Sequence, residues 1–220
     1  FTSMGGYLFG ADENGDPDPD DLGVDSEGGV AAFEKFHELG EAGDGVLRTS
    51  MTYDNAISFL EEGDTPFLIS GPWAVRGAEA AGIDLEVSPI PGFEGEGPAV
   101  PFLGVQTFYV SSKAKNAVFA EEFVTNYVLD VDLATALYEA DPRTPALIEA
   151  REAVSEDDPN LEGFQAAAEG ASPMPSIPEM NAVWEPFGRA LADVLEGAAD
   201  GETAAEDAAE AIRKAIEDGA

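Results

Sequence analysis

The chain reads as an α/β protein on three observations. Phe67-Leu68-Ile69 is a short run of large apolar side chains, and Ser70-Gly71-Pro72 ends it with a small residue, a permissive backbone and a fixed φ. A helix can open near Pro72, because proline is comfortable in a first helical turn. Strand character returns at Leu85–Ile90 and Phe102–Val110, and apolar residues at helical spacing fill much of the rest. In the stretch FLISGPWAV, Trp73 then falls at the carboxyl end of a strand and the amino end of a helix, the crevice where open α/β sheets hold ligands. The alternative at this point is a core tryptophan that closes the strand-helix corner.

At 220 residues the chain can bury one large core or two small ones, and 44% hydrophobic with 9% aromatic residues is a globular composition. No apolar run approaches membrane-spanning length and no basic-then-apolar leader opens the sequence; if the protein is exported, its leader lies outside these residues. Acidic residues number 45 against 10 basic ones, a formal net charge of -35 that repels nucleic acid and acidic membranes. The acids are scattered over helix faces and loops as a solvated coat, suited to a salty or otherwise demanding extracellular medium. Cysteine is absent, which excludes disulfides and thiol chemistry.

Taken in order, Gly5–Phe9 reads as a short strand or turn leading into an acidic loop, Asp12 to Asp21. Its alternating oxygens at Asp12, Asn14, Asp16, Asp18 and Asp20 approach calcium-loop spacing. Pro17 and Pro19 stiffen it, and neither a bidentate glutamate nor a preceding helix is in place, so a solvated turn and no metal is expected. After Ser26, Val30, Phe33, Phe36 and Leu39 mark a helix that Gly40 and Gly43 stop, with His37 at its surface. A second helix is expected over Asp54–Glu62, with Tyr53 just before it as a staple or as a ring projecting into a cleft. Pro91 to Pro101 has the composition of a surface loop or interdomain linker. Helices follow over Asn116–Tyr127, with Phe119, Phe123 and Tyr127 on one stripe, and over Leu133–Glu139. Four more are expected over Ala146–Val154, Leu161–Glu169, Glu179–Glu196 and Thr203–Asp218, the last opened by a Thr203/Glu206 capping box.

A second informative stretch is MPSIPEMNAVW, Met174 to Trp184. Pro175 and Pro178 hold an extended approach to the helix that carries Met180, Val183 and Trp184, and Pro186 is expected to interrupt that helix. These side chains can be core. Together with Trp73 and Tyr53 they can equally supply flat apolar faces beside hydrogen-bonding groups, which suits sugar rings, with C–H patches on one face and hydroxyls around the rim.

The order of these motifs resembles a known family. GGYLFG, the spaced Tyr53, SGPWAV, PFLGV, EEFVTNYVLD and MPSIPEMNAVW look like the carboxyl half of maltose- and maltodextrin-binding proteins, the extracellular solute receptors of sugar ABC transporters. The resemblance covers essentially the whole chain. It implies a type II periplasmic-binding-protein-like α/β fold, with one lobe largely complete plus part of the second. Residues 1–98 and 146–220 form the sugar-facing lobe, residues 102–141 are an excursion belonging to the other, mostly absent lobe, and 98–101 and 143–145 are hinge crossings. By the same resemblance Tyr53, Trp73, Met174 and Trp184 fall on sugar-contacting positions, with both indoles stacking on glucose rings. One departure stands out. Where the family's maltose receptor has an arginine four residues after the second tryptophan, this chain has Gly188, and Arg189 lies a helical step of about 100° away.

The resemblance implies a receptor with no catalytic residues and no cofactor, which captures a maltose- or maltodextrin-type oligosaccharide and delivers it to membrane permease subunits. Its place is extracellular or periplasmic, free or lipid-anchored. A receptor for another sugar such as trehalose is the nearest alternative; a glycoside hydrolase using Glu179 and Glu185, which bracket Trp184, is a remoter one. A purely structural domain is favoured if both tryptophans are buried. Residues 102–141 are expected to be mobile, or to self-associate through an unpaired edge and an apolar stripe.

Overall fold

The computed structural model describes residues 1–155 and 158–219. They divide into two compact units, each built from separate stretches of the chain. The first comprises 1–53, 90–103 and the chain from Ser172 onward; the second comprises 54–89 and 104–171.

The first unit is organised by three helices, α1 (Glu27–Leu39), α8 (Trp184–Glu196) and α9 (Gly201–Glu217). Phe33, Val194 and Ile212, one from each, are fully buried in a single cluster that also holds Val24 and Val183. Phe33 meets the rings of Phe1, Phe36 and Phe187 at 5.3–6.4 Å between centroids, in edge-on or tilted geometries that suit aromatic quadrupoles. The α9 face turned to this core is mostly alanine, Ala204, Ala205, Ala208 and Ala209, which lets its backbone come close to α1. At Gly201 a Cβ would lie 2.4 Å from the Glu34 nitrogen, so only glycine permits that approach.

Capping is mostly local and legible. The Ser26 side chain accepts from the Gly29 N–H at the start of α1. The cap of α9 differs from expectation: the Asp200 carboxylate accepts the Thr203 N–H at 2.8 Å, so Thr203 lies inside the helix and is not its cap. An acidic N-cap both satisfies an orphan donor and faces the positive end of the helix dipole, which lets Asp200 outcompete a hydroxyl further on.

The acidic segment also differs from expectation. Phe9–Ala11 (β1) and Pro17–Leu22 (β2) pair antiparallel, so part of the expected loop is strand and only the turn between them is irregular. Asp12 organises that turn by accepting the N–H groups of Asn14 (2.8 Å) and Asp16 (2.9 Å), and these bonds hold its carboxyl below the usual range. The Pro- and Gly-rich segment 90–101 has no regular structure, but it is tied down. Ser3 Oγ donates to the Gly97 carbonyl and accepts the Phe93 N–H, while Thr2 Oγ1 makes the same reciprocal pair with Val100.

The second unit contains α2 (Tyr53–Glu61, whose first residue belongs to the first unit), α3 (Val75–Ala80), α4 (Ala117–Asn126), α5 (Val131–Ala140), α6 (Ile148–Ser155) and α7 (Pro159–Ala167). Its interior is sparse: Val75, Ala78, Ala150, Val154 and Leu161 are buried, whereas α2, α4 and α5 bury no residue. Polar links supplement the packing. Arg76 on α3 donates to the carbonyls of Glu139 and Ala140 at the end of α5, where a cation also complements the helix dipole. The Tyr138 hydroxyl donates to Asp158, the N-cap of α7; burial first and that carboxylate second push its pKa up.

Three expected strands are corrected. Phe67–Ile69 and Leu85–Ile90 are irregular, and of Phe102–Val110 only Phe102–Leu103 (β3) pairs, in parallel, with Ser172–Pro173 (β4). The apolar runs are real, but strands exist by pairing, and among the described residues no strand pairs with 67–69 or 85–90; Phe67 and Ile69 are largely exposed.

In the first unit, α9 is clamped to the β2–α1 connection by Arg213, whose Nη1 and Nη2 each lie 2.8 Å from one oxygen of Asp25. That bidentate pair lowers the Asp25 pKa. The bridge therefore stabilises the fold above the unfolded carboxylate value of about 4 and is lost as pH falls through the lowered folded value. Asp25→Asn is expected to cost about 0.5–1 kcal/mol at pH 7 in urea unfolding, discounted for solvent screening. The difference from the parent chain should shrink as the pH is lowered through 4 towards 2.

Candidate functional site

Trp73 is displayed by a helix start. Gly71 is extended (φ -142, ψ -174), Pro72 opens a 3-10 turn over Pro72–Ala74, and that turn runs directly into α3. Inward, Val75 and Ala78 are buried; outward, Trp73 keeps 50% of its surface exposed. It is therefore not the core tryptophan of a strand-helix corner, and the strand expected before it is absent. The Arg143 guanidinium carbon lies 5.8 Å from the centroid of the indole, within cation–π range. Arg143 is itself paired with Asp141, Nε to Oδ2, at 2.6 Å.

Met174 and Trp184 flank another such start in the first unit. β4 leads through Met174, which is 46% exposed, to a 3-10 turn over Pro178–Ala182, and α8 begins at Trp184. Within this stretch the environments split by residue. Met180 (4%) and Val183 (2%) enter the core with Phe33 and Ile212, whereas Trp184 is 55% exposed. Of the two methionines, Met180 is core and Met174 is surface. Pro186 does not interrupt α8: it lies in the first turn, where its missing N–H has no helical acceptor to lose. One turn beyond Trp184, a side chain at Gly188 would meet open space; Arg189 is exposed and 4.0 Å from Asp193.

Tyr53 is the first residue of α2, not the residue before it, and is 56% exposed, so it does not act as a buried staple. The four residues singled out from the sequence are thus all surface residues with large apolar faces. Tyr53, Met174 and Trp184 belong to the first unit and Trp73 to the second, so each unit displays one tryptophan. Sequence reasoning missed the Arg143 contact with Trp73. It read Arg143 only as part of a proline-marked crossing, and the residues between them give no periodicity that joins the two.

Elsewhere, two open dishes in the first unit are lined by acids with structural work. One, of about 190 Å³, is bordered by Glu34, His37, Asp200, Gly201 and Glu202, and Asp200 is the α9 cap. The other, of about 350 Å³, includes Glu41, which accepts both the N–H and the hydroxyl of Thr49. Neither dish is lined by the four aromatic and methionine residues. Among the described residues, no group of three or more His, Asp or Glu side chains is placed to hold a metal ion.

Comparison with known proteins gives a consistent picture. Residues 1–163 match the family described as bacterial extracellular solute-binding protein. The galactooligosaccharide-binding protein of Bacillus subtilis is 31% identical over 98% of this chain and 52% of its own length. A maltooligosaccharide ABC transporter solute-binding lipoprotein of Streptococcus pneumoniae is 27% identical over 98% of this chain and 51% of its own. The Thermus thermophilus maltotriose binding protein, solved with maltotriose bound, superposes with a TM-score of 0.85 at 29% identity, covering 98% of this chain and 57% of that one. The mixed α/β fold implied by the motif resemblance is therefore present, and the chain spans about half the length of the curated relatives it matches.

The alternation between Met180, Val183 and Trp184 has a measurable consequence. Met180→Ala removes a buried thioether from a packed cluster and is expected to cost about 2–5 kcal/mol. Trp184→Ala removes a larger side chain that is half in water and should cost no more than about 2 kcal/mol by chemical denaturation. Equal losses would mean that Trp184 is structural.

Proposed function

Because this chain belongs to the family of bacterial extracellular solute-binding proteins, we propose that it is a receptor that captures a maltose- or maltodextrin-type oligosaccharide by aromatic stacking. The receptor then delivers the sugar to the permease subunits of an ABC importer. The observation that carries this reading is the exposure of both indoles beside buried neighbours. Tryptophan is an expensive residue to leave in water, and a pyranose face is a natural cover for it. Tyr53 and Met174 supply further apolar contact and, in Tyr53, a hydroxyl for the sugar rim. The family binds solutes and is not a family of enzymes, so Glu179 and Glu185 are given no acid–base role.

The sugar itself is open to a second reading, supported by the Bacillus subtilis relative whose name specifies galactooligosaccharides. Glucose and galactose differ in the orientation of one hydroxyl, which the flat face of an indole reads poorly. Discrimination belongs to the polar rim, and Gly188 offers no rim group at the helix turn after Trp184. Trehalose remains a third ligand of the same class.

In this proposal residues 1–98 and 146–220 are the sugar-facing lobe, residues 102–141 belong to the other lobe, and closure bends the chain at 98–101 and 143–145. The chain passes between compact units at Leu103/Gly104, just past the first crossing, but 54–89 and 146–171 group with 104–145 and not with the rest of the proposed lobe. The receptor works outside the cytoplasmic membrane, and the Streptococcus pneumoniae lipoprotein supports a lipid-anchored form.

Intrinsic fluorescence tests the sugar reading. Maltotriose or galactotriose, titrated to about 10 mM, should quench or shift the emission without any hydrolysis, at affinities that can be weak. Trp73→Ala should remove most of the response. No response to either sugar, or release of monosaccharide, would count against the proposal. The exposed apolar residues Phe108, Phe119, Phe123 and Tyr127 are expected to drive concentration-dependent self-association through 102–141 in light scattering. A monomer at all concentrations with these residues protected from hydrogen exchange contradicts that.

A further inference from the structure

We propose that Gly71 and Arg143 are positioning residues that fix the orientation of the Trp73 indole before ligand arrives; its use in binding rests on the receptor reading above. Gly71 lies in an extended conformation that any residue can adopt, so its glycine is not required by backbone geometry. Space requires it. A Cβ at this position would fall 2.4 Å from Cη2, 2.5 Å from Cζ3 and 2.8 Å from Cζ2 of Trp73, so the six-membered ring occupies the room a side chain would need.

The guanidinium of Arg143 holds the same ring, with Cζ 5.8 Å from the indole centroid. That cation is in turn fixed. Its Nε pairs with Asp141 at 2.6 Å, and the Arg143 N–H donates to the Asp141 carbonyl at 2.8 Å, so side chain and backbone close one tight turn. A second tie joins this turn to the segment that carries Trp73. Arg76, in the first turn of α3, donates to the carbonyls of Glu139 and Ala140, immediately before Asp141. Residues 139–143 and the helix start at 72–76 are therefore held together at two places.

The consequence concerns entropy and access. A half-exposed indole that rotated freely would have to be ordered by its ligand, at about 0.5–1.5 kcal/mol for an immobilised side chain. Here Gly71 leaves room for the ring in this orientation, which any side chain at 71 would displace, and Arg143 covers part of its π surface. The sugar meets a surface already set. Arg143 contributes through Trp73 and is not assigned a sugar contact.

The test uses the 220-residue chain labelled with 5-fluorotryptophan, whose 19F spectrum has one resonance for each of its 2 tryptophans. Arg143→Ala and Gly71→Ala should each shift or broaden the Trp73 resonance, assigned by Trp73→Phe, while the Trp184 resonance stays in place and reports an intact first unit. Arg143→Lys, which keeps a cation, should restore part of the Trp73 shift. Maltotriose affinity should fall about two- to fivefold in Arg143→Ala, the loss expected of one exposed cation–π contact, and recover partly in Arg143→Lys. An unmoved Trp73 resonance in both alanine variants overturns the positioning role. A moved resonance with unchanged affinity overturns its role in binding. If the parent chain binds no sugar while the resonance responds as expected, the receptor reading fails and the positioning of the indole stands.

Discussion

Phe33, Val194 and Ile212 converge from three helices into one buried cluster, and their contact governs how α8 is turned about its own axis. With Val194 held inward, the first turn of α8 has no freedom to rotate. Val183 and Met180 follow it into the core, and Trp184 is left on the opposite side, facing water. A helix advances about 100° per residue, so neighbours at its start can be sent to different environments without strain. Aromatic display here is thus a by-product of close packing elsewhere. The alanine face of α9 and the glycine at its first position allow that packing by letting backbones approach where larger side chains would hold them apart.

Trp73 is displayed by the same device with less support. Only Val75 and Ala78 anchor its helix inward, and the second unit has few buried residues on its other helices. Polar ties from Arg76, Arg143 and Tyr138 supply connections that apolar burial provides in the first unit. Such links are directional. They fix particular side chains well but add little cohesion overall, because exposed charges lose most of their attraction to water.

Much of this was legible in the sequence where the causes are local. The apolar spacing of Val30, Phe33 and Phe36 and the proline approach to Trp184 each act within a few residues, and most helices lie within about two residues of their expected bounds; α8 is the exception, because residues 178–182 form a 3-10 turn and the helix expected from Glu179 begins at Trp184. Strands were misread for the opposite reason. FLI and the run through Val110 carry strand composition, but a strand needs a partner from elsewhere in the chain, and composition cannot supply one. The acidic hairpin was missed in reverse: Asp and Pro disfavour strands, yet β2 forms because β1 lies beside it. At the candidate site, the residue types of Tyr53, Trp73, Met174 and Trp184 were readable and their surface exposure was not. The indole's contact with Arg143 was also hidden, since it joins residues far apart in the chain.

The Arg213–Asp25 clamp joins residues 188 positions apart, and α9 packs on α1 across a similar separation. The hydrophobic centre of the first unit therefore cannot close on a ribosome until synthesis has passed Ile212. Until then Phe33 and Val194 lack the helix face that covers them.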